Sequence, residues 1–493
     1  MARRYLTTQV QRSGYVWMMR RLTRAFGRRD VRDIDEPLTK QGASYRYGWI
    51  AIALIGIAAF VVSMLMPAGK AGTATFVTLK SGGRYVMYDG QWHSVPNLAS
   101  ARLILNEPAD AKKVDEKELR SAPLGPPMGI AFAPDSLTVA SPDHPRWSVC
   151  SAQEPSTSMS SASKTDLTTT VVGGTALSSR AHDVRGTEGV LVVTPEDKDT
   201  HWLLFRGHRA IVSDDSEVWN ALGISEDQRD NATVVSRALL NTIPEYDTID
   251  VPELDRMGLP SGASSRWNVG TVLRSQVGNQ ATTYVVADDG VQVINETIAR
   301  LLINAGAEEF SDAPMSLVSR LKTVSHLNPA AFPSAPPLLL SRKSVCSTWE
   351  KDGTAPEQFT LSVSEELPLE QDQRPVDLLP ATGATLSADQ AYFTPGDNWL
   401  VHILGGESDS TAAGSQRWFI TPNGTRYAIG AGTQNADPFG ALGFEGSETA
   451  PIPWSVASLL TQGATLSFAN ALVFHDQAFD SPNIKPAPRE GGE

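Results

Sequence analysis

Twenty-three consecutive residues, 47–69, carry no charge, and residues 48–66 within them read GWIAIALIGIAAFVVSMLM. About 20 apolar residues cross the ~30 Å hydrocarbon layer of a bilayer as one helix. A core helix of a soluble domain would keep a polar face, and this stretch has none. A cleaved leader fails as an explanation, because the apolar run follows 46 residues, far more than the short basic region such leaders use. The run therefore predicts one transmembrane helix over 47–69.

Orientation follows from Lys and Arg close to the span. Arg28, Arg29, Arg32, Lys40 and Arg46 precede it, whereas Lys70 and Lys80 are the nearest that follow. The same bias runs through the chain. Residues 1–46 hold eleven Lys/Arg against four Asp/Glu, a balance of +7, while the whole chain stands at −13. The N-terminus is expected in the cytosol and the acidic bulk in the periplasm, beyond the inner membrane. Tyr45, Tyr47 and Trp49 would lie at the inner interface, where amphipathic rings are favoured.

The cytosolic arm, 1–46, is patterned. Leu6, Val10, Trp17, Met18, Leu22 and Phe26 alternate at roughly helical spacing with Arg12, Arg20, Arg21, Arg24, Arg28 and Arg29. A basic amphipathic helix lies on anionic lipid or docks on a partner, so Trp17, Arg20, Arg21, Arg24, Arg28 and Arg29 are the candidate docking residues. An unstructured basic tail is the alternative. Nucleic acid is not an expected partner, since no base-reading motif accompanies the charge.

Cys150 and Cys346 are the two cysteines. Outside the cytosol two cysteines of one folded domain pair; two separate buried thiols are the other option. Each sits in the tetrapeptide Ser-Val-Cys-Ser, at 148–151 and 344–347. Identical surroundings 196 residues apart suggest equivalent positions in a repeated architecture.

A strand, a turn, a second short strand and a short helix recur four times. The hairpins are FVTLKSGGRYVMYDG from Phe76, WLLFRGHRAIV from Trp202, TYVVADDGVQVI from Thr283 and RWFITPNGTRYAIG from Arg417. The helices are assigned to Asn97–Ile104, VVSRALL from Val234, TIARLLI from Thr297 and WSVASLL from Trp454. Gly and Asn in the turns supply the positive φ of tight hairpins. A longer period relates two halves, about 73–275 and 281–480. In each, a strand-like run follows the cysteine, LTTTVV from Leu167 and FTLSVS from Phe359. The fold expected is α+β: a single transmembrane helix and an elongated periplasmic domain of four strand-turn-strand-helix repeats around a central β domain, with pseudo-twofold symmetry. Repeats are placed at 73–125, 201–262, 281–337 and 399–480. The central β domain is placed at 126–200 and 338–398, and a Pro-rich tail at 481–493.

Catalytic signatures are absent from the sequence. Lys80, Lys164, Lys322 and Lys343 each precede Ser or Thr without the glycine of a Walker A loop. There is no G-x-S-x-G elbow and no H-E-x-x-H. His201 and His208 could approach one another, but no carboxylate or cysteine stands at ligand spacing. Asp214-Asp215 and Asp288-Asp289 read as solvated turn caps. No catalytic, cofactor or metal residues are expected, and the periplasmic part reads as an interaction scaffold.

These residues resemble the EccB family, single-span inner-membrane components of type VII (ESX) secretion systems. The resemblance rests on Gln11, Ser13-Gly14-Tyr15, Arg20-Arg21 and Arg28-Arg29-Asp30-Val31-Arg32 in the arm. It continues through the Asn97–Ile104 run, Gly125-Pro126-Pro127, Gly129-Ile130 and both cysteines. Trp17 stands where a Phe-like anchor is expected, and Val16 at an often polar position. The resemblance implies a Cys150–Cys346 bridge and a periplasmic homodimer. It also implies assembly with EccC (an FtsK-like ATPase), EccD, EccE and a mycosin protease. Members are often called ATPases, so an ATP-binding hydrolase is the second reading and ATP the one cofactor to consider. A cell-wall binding module is a third.

Overall fold

A computed structural model describes residues 8–28, 46–57, 74–120, 122–140, 144–155, 165–277, 280–379, 386–404, 416–432 and 436–475. They divide into two compact units, residues 1–74 with 112–120, and residues 75–111 with 121–493.

In the first unit the arm forms a helix, Gln9–Arg28. Its start is a capping box. The Thr8 amide donates to Gln11 Oε1 (3.0 Å) and the Gln11 amide to Thr8 Oγ1 (3.4 Å), which satisfies two orphan donors reciprocally. A second helix covers residues 46–57. Residues 58–69, the remainder of the uncharged run, lie outside the described residues. Among the described residues no helix is long and apolar enough to cross a membrane. The tail at 481–493 also lies outside them.

The second unit is organised on a sheet of seven strands. Their order is Val376–Asp377, Gln390–Phe393, Thr165–Gly173, Arg146–Pro155, Ser344–Glu350, Gln358–Ser364 and His182–Asp183. The two cysteine strands lie antiparallel at its centre, with Cys346 directly opposite Cys150. A disulfide joins them across a Cα separation of 4.0 Å. Arg146 pairs Glu350 and Ala152 pairs Ser344 in the same register. Exchanging the two Ser-Val-Cys-Ser segments leaves that register unchanged, so a local twofold passes between the cysteines.

Period-two alternation gives this sheet two unlike faces. In Phe359-Thr360-Leu361-Ser362-Val363-Ser364 every second residue is a hydroxyl. One face carries Trp147, Val149, Val171, Val345, Trp349, Leu361 and Val363, which enter the largest apolar cluster. The other carries Ser148, Thr170, Ser344, Thr348, Ser362 and Ser364, buried around the disulfide.

Four smaller sheets complete the unit, and the meander of each has one strand more than the hairpin read from sequence; in the fourth the added strand is Trp399–Leu404. The second sheet begins with Glu188–Val193, which pairs antiparallel with Trp202–Phe205. That strand had been placed in the central β domain. Leu338–Leu339, also assigned there, pairs with it in parallel. The run GVLVV, apolar at every position, is buried on both faces and lacks the alternation that marks a one-sided strand. The third sheet begins with Val272–Val277, hairpinned to Gln280–Val286, so the proposed break between halves at 275–281 cuts a hairpin. In the first sheet, Phe76–Leu79, Arg84–Tyr88 and Gln91–Ser94 form a meander, and the hairpin read from Phe76 is its first turn, not its second.

The helices need a similar correction. After the meander of the second sheet comes Ser216–Leu222, and after that of the fourth comes Pro438–Leu442. The helices read from Val234 and Trp454 follow later, at Arg237–Leu240 and Trp454–Ala457. These helices of seven and five residues span too few turns for a helical period to stand out, which hid them. Each ends in Ala-Leu-Gly, with Gly223 and Gly443 at φ 71° and 89°. A β-carbon is disfavoured in this left-handed cap. Helices Leu98–Leu105 and Glu296–Asn304 are capped by Asn97 and Asn295 instead. Each Asn accepts from an amide three residues on (2.9 Å) and donates its Nδ2 to a distant carbonyl, Ile130 or Pro329 (2.8 Å). An aspartate would supply only the first bond.

The helices pack in two pairs. Leu98–Leu105 meets Pro438–Leu442, and Ser216–Leu222 meets Glu296–Asn304. The first pair shares a core of Phe76, Val86, Leu103, Phe419, Leu442 and Phe444. Phe419 stacks on Phe444 at 5.3 Å. Arg102 Nη1 donates to Leu442 O (2.8 Å), closing the end of the neighbouring helix. In the second pair Asn304 Nδ2 donates to Glu217 O (3.1 Å) and Leu301 enters the partner core.

Phe444→Ala should lower unfolding free energy by about 3–5 kcal/mol, since it removes a fully buried ring from the joint core; urea denaturation measures it. Cys150→Ser is expected to lower the melting temperature without altering the circular dichroism spectrum. A closed loop of this length restricts the unfolded chain by about 5 kcal/mol.

Candidate functional site

Two regions hold the residues singled out in the sequence. Cys150 and Cys346 are both fully buried in the central sheet. They join its two halves and are screened from solvent reductant.

The arm helix is a surface rather than a pocket. At ~100° per residue, Tyr15, Met18, Met19, Leu22 and Phe26 fall in a stripe about 100° wide. All five are exposed, Phe26 by 86%. Arg20, Arg21 and Arg24 lie on the opposite side. Trp17 lies among them and not on the apolar stripe: the Arg21 guanidinium sits 5.3 Å from its ring centroid. The sequence reading grouped Trp17 with the apolar residues and missed Tyr15 and Met19. Plotting the residues at helical angles separates them. Arg28 is the last residue of the helix, and Arg29 lies outside the described residues.

The candidate acid, base and metal residues do not converge. His201 packs edge-on to Trp219 at 5.4 Å, and His208 stacks on Tyr246 at 3.9 Å. Among the described residues no group of three His, Cys, Asp or Glu could hold a metal. Asp288 accepts from the Gly262 amide and pairs with Arg256 (2.8 and 2.9 Å), and that amide chiefly lowers its pKa. Asp289 is lowered mainly by its hydrogen bond to His326 and then by Lys322. Both are turn carboxylates held ionised on the surface.

Two charge arrangements were not read from sequence. Arg274 grips Glu296 with both terminal nitrogens (2.6 and 3.0 Å) and Glu309 through Nε (2.5 Å). These bonds raise the arginine pKa and lower that of Glu296. Arg426 lies between Trp418 and Trp454, 4.6 and 5.0 Å from their ring centroids, and is only 6% exposed. Burial lowers its pKa, and Leu460 O accepts from its Nε (3.3 Å). Residues from separate elements make both clusters, and no local pattern signals them.

His402 gives the unit a pH response. Its Nδ1 meets Thr449 Oγ1 at 2.9 Å, and burial lowers its pKa below the ordinary value. A depressed imidazole pKa means the fold prefers the neutral ring. Its stabilisation is full above about 6.5 and is lost as pH falls through the folded value. His402→Gln should therefore show a smaller drop in melting temperature than wild type on acidification from pH 7, in parallel thermal scans.

A model of the family described as type VII secretion system ESX-1, transport TM domain B, matches residues 4–479. The ESX-3 secretion system ATPase EccB3 of Mycobacterium tuberculosis is 30% identical over 526 residues, covering 99% of this chain and 94% of that protein. The ESX-1 secretion system ATPase EccB1 of the same species is 28% identical over 498 residues, covering 99% of both. Among solved structures, a chain of the intact ESX-5 inner membrane complex aligns at TM-score 0.74 and 26% identity over 99% of each chain. The EccB3 dimer of the ESX-3 core complex aligns at TM-score 0.69 and 27% identity, covering 81% of this chain and all of that one.

Proposed function

Because this chain belongs to the EccB family of type VII (ESX) secretion transport membrane components, we propose that it is a structural subunit that anchors and assembles the periplasmic face of such a complex. The observation that carries this reading is the end-to-end likeness to a chain of an intact ESX-5 inner membrane complex. A part that matches over its whole length has the surfaces of that position available. The uncharged run 47–69 crosses the inner membrane once, with the basic arm in the cytosol and the second unit in the periplasm.

The four small sheets serve as copies of one repeat around the central sheet. The Asn-capped first and third correspond, as do the Ala-Leu-Gly-ended second and fourth. A twofold between the cysteines then exchanges the two helix pairs, and the disulfide staples the halves. Two such chains dimerise, as EccB3 does in the ESX-3 core complex, and the contact is assigned to their periplasmic units. The arm supplies the cytosolic contact: Arg20, Arg21 and Arg24 with Trp17 form its basic side, and Arg28 and Arg29 complete the docking set. The chain's partners in the assembly are an FtsK-like ATPase (EccC), EccD, EccE and a mycosin protease, and the energy for transport comes from the ATPase.

Hydrolysis of ATP by the chain itself is the second reading, favoured by the names of its relatives. The sequence offers no phosphate loop for it. Purified full-length protein should turn over ATP no faster than a mock preparation; excess turnover in the protein alone would support the hydrolase.

Reversing Arg20, Arg21 and Arg24 to Glu should strip the chain from the complex while its periplasmic unit melts as before. Native mass measurement of tagged protein extracted in mild detergent reads the result. A normal yield of megadalton particles from the variant would remove the arm's role.

A further inference from the structure

The second and fourth sheets place an arginine at the same point of their hairpins. In the second, Arg209 pairs with Leu204, and its guanidinium lies 4.8 Å from the Trp202 ring centroid. In the fourth, Arg426 pairs with Ile420, and its guanidinium lies 4.6 Å from the ring of Trp418. A parallel neighbour runs beside each, Glu245 beside Arg209 and Gln462 beside Arg426. The short helices before these neighbours keep step. Arg237 opens one helix eight residues before Glu245, and Trp454 opens the other eight residues before Gln462. The two arrangements differ in charge. Glu245 meets Arg209 Nη2 at 2.8 Å as an ion pair. Gln462 offers Arg426 Nη2 only a neutral oxygen, at 3.5 Å. Among the described residues no carboxylate pairs with Arg426, although it is buried. A buried guanidinium without a counter-charge destabilises the fold. The indole faces and the Leu460 carbonyl offset only part of that.

We propose that Arg426 anchors a docking surface for a carboxylate-bearing segment of another subunit, which supplies the counter-charge that Glu245 supplies to Arg209. The surroundings have the composition of an interface centre, where Trp and Arg dominate binding. Trp454, in the place of Arg237, covers the guanidinium at 5.0 Å and is itself 47% exposed. Leu379, 80% exposed, lies beside the same strand, its carbonyl accepting from Thr461 Oγ1 (3.1 Å). Gln462 is exposed as well, so the approach to Nη2 runs past a side chain free to turn aside. Charge selects the chemistry of the partner. A cation set among indole and leucine takes a carboxylate flanked by apolar side chains, and offers a metal ion nothing. A protein segment fits an open surface of this kind, whereas a small acid needs a concave site. The inference rests on the assembly reading for the source of the segment; the missing counter-charge does not depend on it.

The isolated full-length chain is tested first, in mild detergent. Gln462→Glu gives Arg426 a carboxylate from the neighbouring strand and should raise the melting temperature by about 2 °C or more, with Gln462→Asn as the uncharged control. No rise beyond the control overturns the proposal, because Arg426 then lacks no counter-charge. The extracted complex is tested next. Gln462→Lys places an amine beside Arg426, and a carbodiimide joins that amine to a carboxylate in contact with it. Peptide mass mapping then identifies the carboxylate, and an Asp or Glu of another subunit is expected. A cross-link to Glu407 or Asp409 of the same chain, or to a second copy of it, overturns the proposal. So does the absence of a cross-link in particles of native mass. Chains that form no such particle overturn the assembly reading and the partner with it, while the melting of Gln462→Glu still reports on the missing counter-charge.

Discussion

The pairing of the two cysteine strands is the contact on which the second unit depends. Cys346 faces Cys150 in an antiparallel register that reads the same when the two Ser-Val-Cys-Ser segments are exchanged. Each strand then carries a neighbour outward, Thr165–Gly173 on one side and Gln358–Ser364 on the other. Trp147, Trp349 and the valines of this sheet enter the core that small-sheet residues such as Leu204, Val401 and Ile452 also enter. A one-residue slip would turn those side chains onto the hydroxyl face and the hydroxyls into the core. The disulfide forbids that slip.

The helix pairs extend the same logic. Each of these helices, five to nine residues long, is too short to be stable alone. Each is held by a cap and by a neighbour from the other half of the chain. Arg102 closing the Pro438–Leu442 helix, and Asn304 reaching Glu217, are contacts between segments far apart in sequence. Removing one half would leave both pairs without partners. This interdependence suits the structural role proposed for the chain. The charged cluster of Arg274 with Glu296 and Glu309 likewise ties separate elements together.

The arm obeys a simpler rule. It is exposed on nearly every side, so burial does not determine its faces and helical angle alone does. That is why its amphipathic character was legible in the sequence, while the side assigned to Trp17 was not. Grouping by hydrophobicity placed the ring with Met18 and Leu22. The helix places it among arginines, where the face of the indole attracts the Arg21 guanidinium.

The sequence by itself determined the uncharged run, the charge asymmetry across it, the equivalence of the two cysteine segments and the alternating strand from Phe359. These are local patterns, set by a bilayer's thickness, the pleat of a strand or an exact repeat, and they need no knowledge of what lies alongside. Tertiary structure alone decided that Glu188–Val193 leaves the central sheet, that Val272–Val277 begins the third small sheet, and that the first helices of the second and fourth sheets are Ser216–Leu222 and Pro438–Leu442. A run apolar at every position fits either sheet, and helices of seven and five residues have too few turns to show a period. Only the strand that pairs with one, and the helix that covers the other, select the answer.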